Sequence, residues 1–354
     1  MGNQIAPKPF AERLGRWYGA HKRDLPWRRT ADPYRIWISE VMLQQTTVNA
    51  VVPYYRTWLN RFPDVRALSR APLQAVLKAW QGLGYYQRAR NLHAAARIIV
   101  AEHRGKLPSD PEILRRIPGF GLYTSAAVAS LAFGKPCAVL DANVRRVMMR
   151  LLLLHGEADG RHDKAISAAL DRLLDRKSPG TFNQGLMELG ALVCRPRNPL
   201  CPACPLPDLC AAYEKGEQEV IPKPRQRTYN KGKAVVGIIR KGNKVLIQRR
   251  PAKGLFGGLW EFPGGKVERG ETLEKALARE LREELDAEMK DARFLLEVHH
   301  TYTQFQVALY AYAVRLKEEP ALVAGRRKWV ALRDLREYPF PSGSAKIVRF
   351  LENA

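Results

Sequence analysis

Acidic residues are scarce in this chain. Asp and Glu number 35 against 59 Lys and Arg, which gives a formal net charge of +24. A positive field of that size favours a polyanion such as nucleic acid, because each phosphate contact releases counterions. Long apolar runs are missing too. None approaches the ~20 residues that a membrane-spanning helix needs, and the leucine run Leu151 to Leu154 fits a buried helix instead. No segment of basic then apolar residues opens the sequence, so the expected location is cytoplasmic, with no membrane partner. Cysteine is sparse, five in 354 residues, which excludes a disulfide scaffold.

The length accommodates two domains with separate cores. Residues 10 to about 212 show helix-period apolar positions broken by Pro and Gly turns, so an all-α domain is expected over 1–215. Residues 216–232 lose that pattern and read as a basic linker; Lys223 to Arg250 contains ten basic residues and no acidic one. From residue 233 to 354 the period changes. "KAVVGIIRKGNKVLIQRR" reads as strand, turn, strand, a helix is expected over Leu273 to Leu285, and further strands follow, which makes a smaller α+β domain.

Four of the cysteines fall in one segment, Cys194-x6-Cys201-x2-Cys204-x5-Cys210 (194–210). A structural zinc site usually offers two tight Cys pairs, and only one pair here is tight. Four thiolates on a short loop suit a [4Fe–4S] cube, whose corners take ligands from several directions. The spacing resembles the cluster loop of the endonuclease III superfamily of DNA glycosylases, where the cluster would fix a basic loop, here bearing Arg195 and Arg197.

Two more features carry that resemblance. "IPGFG", Ile117 to Gly121, reads as a helix–hairpin–helix turn whose Gly119 and Gly121 permit left-handed backbone and open a helix N-terminus to phosphate. Asp141 follows in "VLDANVRRV". Singly, the turn is common and the Asp suits a helix N-cap. Hairpin, Asp and cysteine loop together form the superfamily signature. Members that also cut the strand carry a Lys two residues after the second hairpin glycine, to attack the sugar as a Schiff base. This chain has Tyr123 there, and a phenol cannot form an imine. A monofunctional glycosylase is expected.

"WISEVMLQQTTV", Trp37 to Val48, with Leu25-Pro26-Trp27-Arg28 and "GLGYYQRARNL", Gly82 to Leu92, is similar to the MutY-type adenine DNA glycosylases. The similarity spans the chain, because those proteins also end in a Nudix-like domain. It implies removal of adenine mispaired with 8-oxoguanine or guanine in double-stranded DNA, by a monomer. Adenine leaves deoxyribose readily only when protonated at N7, which needs a carboxylic acid kept neutral in a partly desolvated pocket. Glu40, among Trp37, Ile38, Val41 and Met42, is the candidate. Asp141 is the candidate for stabilising the oxocarbenium-like sugar. The resemblance implies that Tyr123 and Asn143 support this pair. It also implies that Gln184 contacts the adenine, that Gln45 and Tyr85 wedge beside the orphan base, and that Arg28 lies on the DNA-binding side.

"GGKVERGETLEKALARELREELDA", Gly264 to Ala287, is a Nudix box similar to that of the MutT-type 8-oxo-dGTP pyrophosphohydrolases. Glu280, Glu283 and Glu284 fall on one helical face and would take Mg²⁺ or Mn²⁺. Asp286 stands where the box has Gly, at a position that usually closes the helix in left-handed geometry. The family presents a Phe-Ser-His loop to 8-oxoguanine; here the aligned residues are Tyr302, Thr303 and Gln304. The expectation is a lesion-reading domain. Two rival readings are a bifunctional protein that also hydrolyses 8-oxo-dGTP, and a non-catalytic iron–sulfur protein that scans DNA.

Overall fold

The computed structural model describes residues 5–224, 228–252, 254–302 and 305–353. They pack as two compact units, Met1–Arg70 with Asn91–Gln226, and Ala71–Arg90 with Arg227–Ala354. Among the described residues no helix is long and apolar enough to cross a membrane.

The helices up to the linker are α1 (Pro7–His21), α2 (Pro33–Leu43), α3 (Val48–Arg61), α4 (Val65–Arg70), α5 (Leu73–Ala79), α6 (Gln87–Glu102), α7 (Pro111–Arg115), α8 (Leu122–Phe133), α9 (Ala142–Leu151), α10 (Asp163–Leu173), α11 (Pro179–Leu192) and α12 (Ala211–Glu214). In the first unit α2 is central. Asp32 caps it, accepting from Tyr34 N at 2.8 Å, and Pro33 supplies the first helical position. Every residue from Ile36 to Met42 is buried, so the helix has no solvent face on that stretch. Trp37 stacks on Phe120 with ring centroids 5.1 Å apart, which fastens α2 to the hairpin between α7 and α8. Gly134, at φ 64°, ends α8 in left-handed geometry.

The segment leading into α9 is held by one buried amide. Asn183 on α11 accepts from Val139 N at 3.1 Å and donates to Cys137 O at 2.8 Å and Ser130 Oγ at 2.9 Å. Both of its N–H donors and its carbonyl oxygen are engaged in the core, which makes this a rigid anchor. It fixes where Asp141, two residues beyond Val139, enters α9.

The second unit is a mixed sheet of β1 (Asn230–Lys241), β2 (Lys244–Arg249), β3 (Trp260–Glu261), β4 (Gly264–Lys266), β5 (Met289–Tyr302), β6 (Phe305–Leu316) and β7 (Arg327–Ala331). The strand order is β3-β2-β1-β6-β5, with β4 on β1 and β7 on β2. β1 runs parallel to β6 and the other pairings are antiparallel. Alternation along β1 sends Val235 and Ile239 to one face, against Leu277 and Leu281 of α13 (Leu273–Leu285), and Val236 and Ile238 to the other, which also holds Ile347 and Val348 of α14 (Ser342–Asn353). The expected helix bounds are those of α13. Asp286 closes it at φ 53°, ψ 42°, the left-handed geometry the box requires.

The segment Ala71–Arg90 belongs to this second unit although its periodicity is helical. Polar atoms explain the attachment. Trp260 Nε1 donates to Gln74 Oε1 at 2.9 Å, Gln74 Nε2 donates to Gly258 O at 3.0 Å, and Tyr86 Oη donates to Phe340 O at 3.3 Å. Periodicity reports which face is apolar and carries no information on which core receives it.

Candidate active site

Glu40 sits near the C-terminal end of α2 with 5% of its surface exposed. Burial pushes its carboxyl up to about 7, helped by the negative charge of Asp141 and opposed by the Tyr123 hydrogen bond and by Arg28. Tyr123, in the first turn of α8, donates from its hydroxyl to Glu40 Oε2 at 2.5 Å. Burial, then the Glu40 and Asp141 charges, hold that phenol well above its ordinary pKa.

Asp141 is both the N-cap of α9 and a member of this site. Its Oδ1 accepts from Val144 N at 2.7 Å and its Oδ2 from Asn143 Nδ2 at 3.1 Å. Burial raises its pKa, and these N–H donors oppose the rise by favouring the ionised form. Burial raises both carboxyls, and they differ in what opposes it: one side-chain donor, Tyr123, at Glu40, and several N–H donors at a helix N-terminus at Asp141.

Arg28 was expected on the DNA side. Its side chain is only 12% exposed and its guanidinium forks onto Glu188, with contacts of 2.9 and 2.7 Å. Arg23 holds the same carboxylate at 2.7 Å. Burial would raise the Glu188 carboxyl, but hydrogen bonds from the two arginines override it and hold the group at about 2. The Arg28 guanidinium also lies 5.5 Å from the centroid of the Tyr18 ring, and the Tyr18 hydroxyl donates to Gln184 Oε1. Gln184 is thus fixed by a partner that composition gave no reason to select.

Asn143 is positioned from behind. Arg146 Nη2 donates to Asn143 Oδ1 at 2.9 Å and to Gly190 O at 2.7 Å, and its Nε donates to Cys194 O at 2.8 Å. Gly190 is required there, since a Cβ would lie 2.7 Å from Asn143 Cβ. Glu188, Arg146, Tyr18 and Gly190 all escaped the sequence reading. For Glu188 a signal existed: a carboxylate inside the apolar stretch "GLMELGAL" must find a cation.

Of the hairpin glycines, Gly119 does adopt φ 85°, with Asn91 Cβ 2.8 Å from where its own Cβ would stand. Gly121 differs from expectation. It is extended, φ −81° and ψ −177°, and a Cβ would meet nothing within 4 Å. Its smallness leaves the N-terminus of α8 open to approach. Gln45 is exposed, between α2 and α3, at φ 56°. Tyr85, in the second unit, is 43% exposed at φ 48°, with the Arg88 guanidinium 5.6 Å from its ring. Both proposed wedge residues hold a left-handed backbone that non-glycine residues rarely adopt.

Cys194, Cys201, Cys204 and Cys210 line one cavity with Arg150, Val193, Pro207, Tyr213 and Gln218. Arg150, 1% exposed, donates to Cys194 Sγ at 3.2 Å and to Arg195 O at 2.8 Å, and Leu206 N donates to Cys204 Sγ at 3.4 Å. Among the described residues no three His, Cys, Asp or Glu side chains meet where a single ion would sit. Sulfurs spread around a cavity fit a polynuclear cluster, whose ligands bind separate irons.

In the second unit Arg279 Nη1 contacts Glu280 Oε1 at 2.9 Å and Glu283 Oε2 at 3.3 Å. Glu284 Oε2 accepts from Gly264 N at 2.8 Å and Gln248 Nε2 at 2.6 Å. Tyr302 stacks between His300 and Phe305, at 5.8 and 5.5 Å. Thr303 and Gln304 lie outside the described residues.

Residues 38–175 match the HhH-GPD superfamily of base excision DNA repair proteins, and residues 234–349 match the NUDIX domain. Adenine DNA glycosylase of Homo sapiens is 34% identical over 96% of this chain and 73% of its own length. Adenine DNA glycosylase of Buchnera aphidicola subsp. Schizaphis graminum is 30% identical over 97% and 99%. The chain belongs to the adenine DNA glycosylase family. A solved thermostable thymine-DNA glycosylase is 33% identical over 59% of this chain and 97% of its own, with TM-score 0.53. An endonuclease III–DNA covalent intermediate, 22% identical with TM-score 0.53, shares the fold of the first unit, covering 61% of this chain and 99% of its own.

Proposed function

We propose that this protein excises adenine paired with 8-oxoguanine or guanine in double-stranded DNA and leaves an abasic site. The single observation that carries the reading is the pair of buried carboxyls with different hydrogen-bond donors, Glu40 against Tyr123 and Asp141 against Asn143 and Val144. The adenine leaves the stack and enters the pocket. Neutral Glu40 gives its proton to N7, the glycosidic bond breaks, and ionised Asp141 stabilises the positive sugar until water adds. Tyr123 supplies no amine, so no covalent imine forms through that position. The four cysteines would hold a [4Fe–4S] cluster, which when bound fixes the loop bearing Arg195 and Arg197. The second unit, through Tyr302, Thr303 and Gln304, would read the base opposite adenine. The protein would act inside the cell as a monomer.

The test is base release from an A:8-oxoguanine duplex under single-turnover conditions. Glu40→Gln should abolish release while duplex binding persists. Release from T:G by the wild type, with none from A:8-oxoguanine, would overturn the reading.

A second reading has one observation in its favour. Gly265 lets the Nudix loop close on the helix, for a Cβ there would sit 2.2 Å from the Glu280 carboxyl, so the box keeps its packing. Hydrolysis of free 8-oxo-dGTP with Mg²⁺, lost in Glu283→Gln, would establish that activity.

A further inference from the structure

Phe256 is the one aromatic residue among those the structure describes at positive φ besides Tyr85, with φ 57°. Bulky side chains rarely hold that conformation, and they persist in it only where the surroundings over-determine it. The loop around it is tightly closed. Leu259 N donates to Phe256 O at 3.1 Å, Gly257 N to Gly254 O at 3.2 Å, and a Cβ on Gly257 would lie 2.4 Å from Ala252 O. The strain aims the Phe256 ring at two others. It meets Tyr86 edge-on, with centroids 6.4 Å apart and planes at 80°, and Tyr302 likewise at 5.1 Å and 69°. Tyr86 directly follows exposed Tyr85. Both aromatic contacts lie within the second unit.

We infer that Phe256 is a positioning residue that sets the Tyr85–Tyr86 turn and the Tyr302 end of β5 in one fixed arrangement, and so determines discrimination between 8-oxoguanine and guanine opposite adenine. The inference rests on the reading that Tyr302 faces the opposite base. An edge-on aromatic pair has a preferred angle and distance that an aliphatic side chain does not impose. Removing the ring leaves the two tyrosines to orient independently.

The experiment measures single-turnover adenine release by the full-length protein from A:8-oxoguanine and A:G duplexes, and takes the ratio of the two rates. Phe256→Leu keeps apolar bulk and removes the ring; the ratio should fall about threefold to tenfold, the range expected for losing about one aromatic pair. Phe256→Tyr should restore it. Tyr302→Ala should lower the ratio at least as far, and the double variant should lose no more than Tyr302→Ala alone, as coupled residues do. A normal ratio in Phe256→Leu with a lowered one in Tyr302→Ala overturns the inference and leaves the Tyr302 reading standing. A normal ratio in Tyr302→Ala overturns that reading, and the inference with it. Equal loss on both duplexes in Phe256→Leu marks a merely structural role and also overturns the inference.

Discussion

The Tyr123 hydroxyl lies 2.5 Å from Glu40 Oε2, and it is the donor. Burial and two neighbouring carboxyls keep the phenol protonated far above its ordinary range. Oε2 is therefore committed as an acceptor. When Glu40 is neutral its own proton resides on Oε1, and on the proposed reading that oxygen delivers it.

That assignment fixes the pH dependence of adenine release. On the proposed reading Glu40 acts only while protonated, so kcat/KM should fall on the alkaline side with an apparent pKa near 7. The Tyr123 hydrogen bond lowers the Glu40 pKa, so Tyr123→Phe should move this limb to higher pH. The same variant should slow release at pH 6 on the order of tenfold, because Oε1 loses its orientation. A limb that stays in place would separate Tyr123 from the acid.

Glu40 should also destabilise the folded protein at neutral pH and above. Its folded pKa lies above the ordinary 4.5, so the folded state holds the proton more tightly. Stability from this group is full below about pH 4.5 and is lost as the pH rises through about 7. Glu40→Gln removes the loss. The inactive variant should exceed the wild type at pH 8 by up to about 3 kcal/mol and match it near pH 4.5, as read from denaturant midpoints. Equal midpoints at both pH values would place the carboxyl in water.

Glu188→Gln tests the ion pair behind the pocket. Glu188 contributes stability above the ordinary 4.5 that is lost as the pH falls toward about 2. Breaking a buried pair on one side should cost about 3 kcal/mol at pH 7. It should also unmask Arg28, whose charge favours ionised Glu40, and shift the alkaline limb of adenine release to lower pH. Lost stability with an unmoved limb would confine Glu188 to folding.

Asp286→Gly should stabilise the second unit. Asp286 holds φ 53° at the end of α13, where glycine meets no Cβ penalty. A gain of about 0.5–1 kcal/mol is expected in the unfolding transition of that unit, followed separately because the chain has two units. A destabilised variant would mean that the Asp286 side chain, and not only its backbone, secures the helix end.

By itself the sequence determined the elements and much of the chemistry. Helical period gave way to strand alternation after the linker because apolar side chains must reach a core in either geometry. Glu40, Tyr123, Asp141 and the four cysteines were legible because their types and spacings are uncommon together. Tertiary structure alone decided which atoms hold them. Arg146, 48 residues from Cys194, joins its carbonyl to Asn143; Glu188, 160 residues from Arg28, turns that arginine inward; and Ala71–Arg90 packs against strands far along the chain. Such contacts follow from how packed elements satisfy buried polar groups, and no local pattern encodes them.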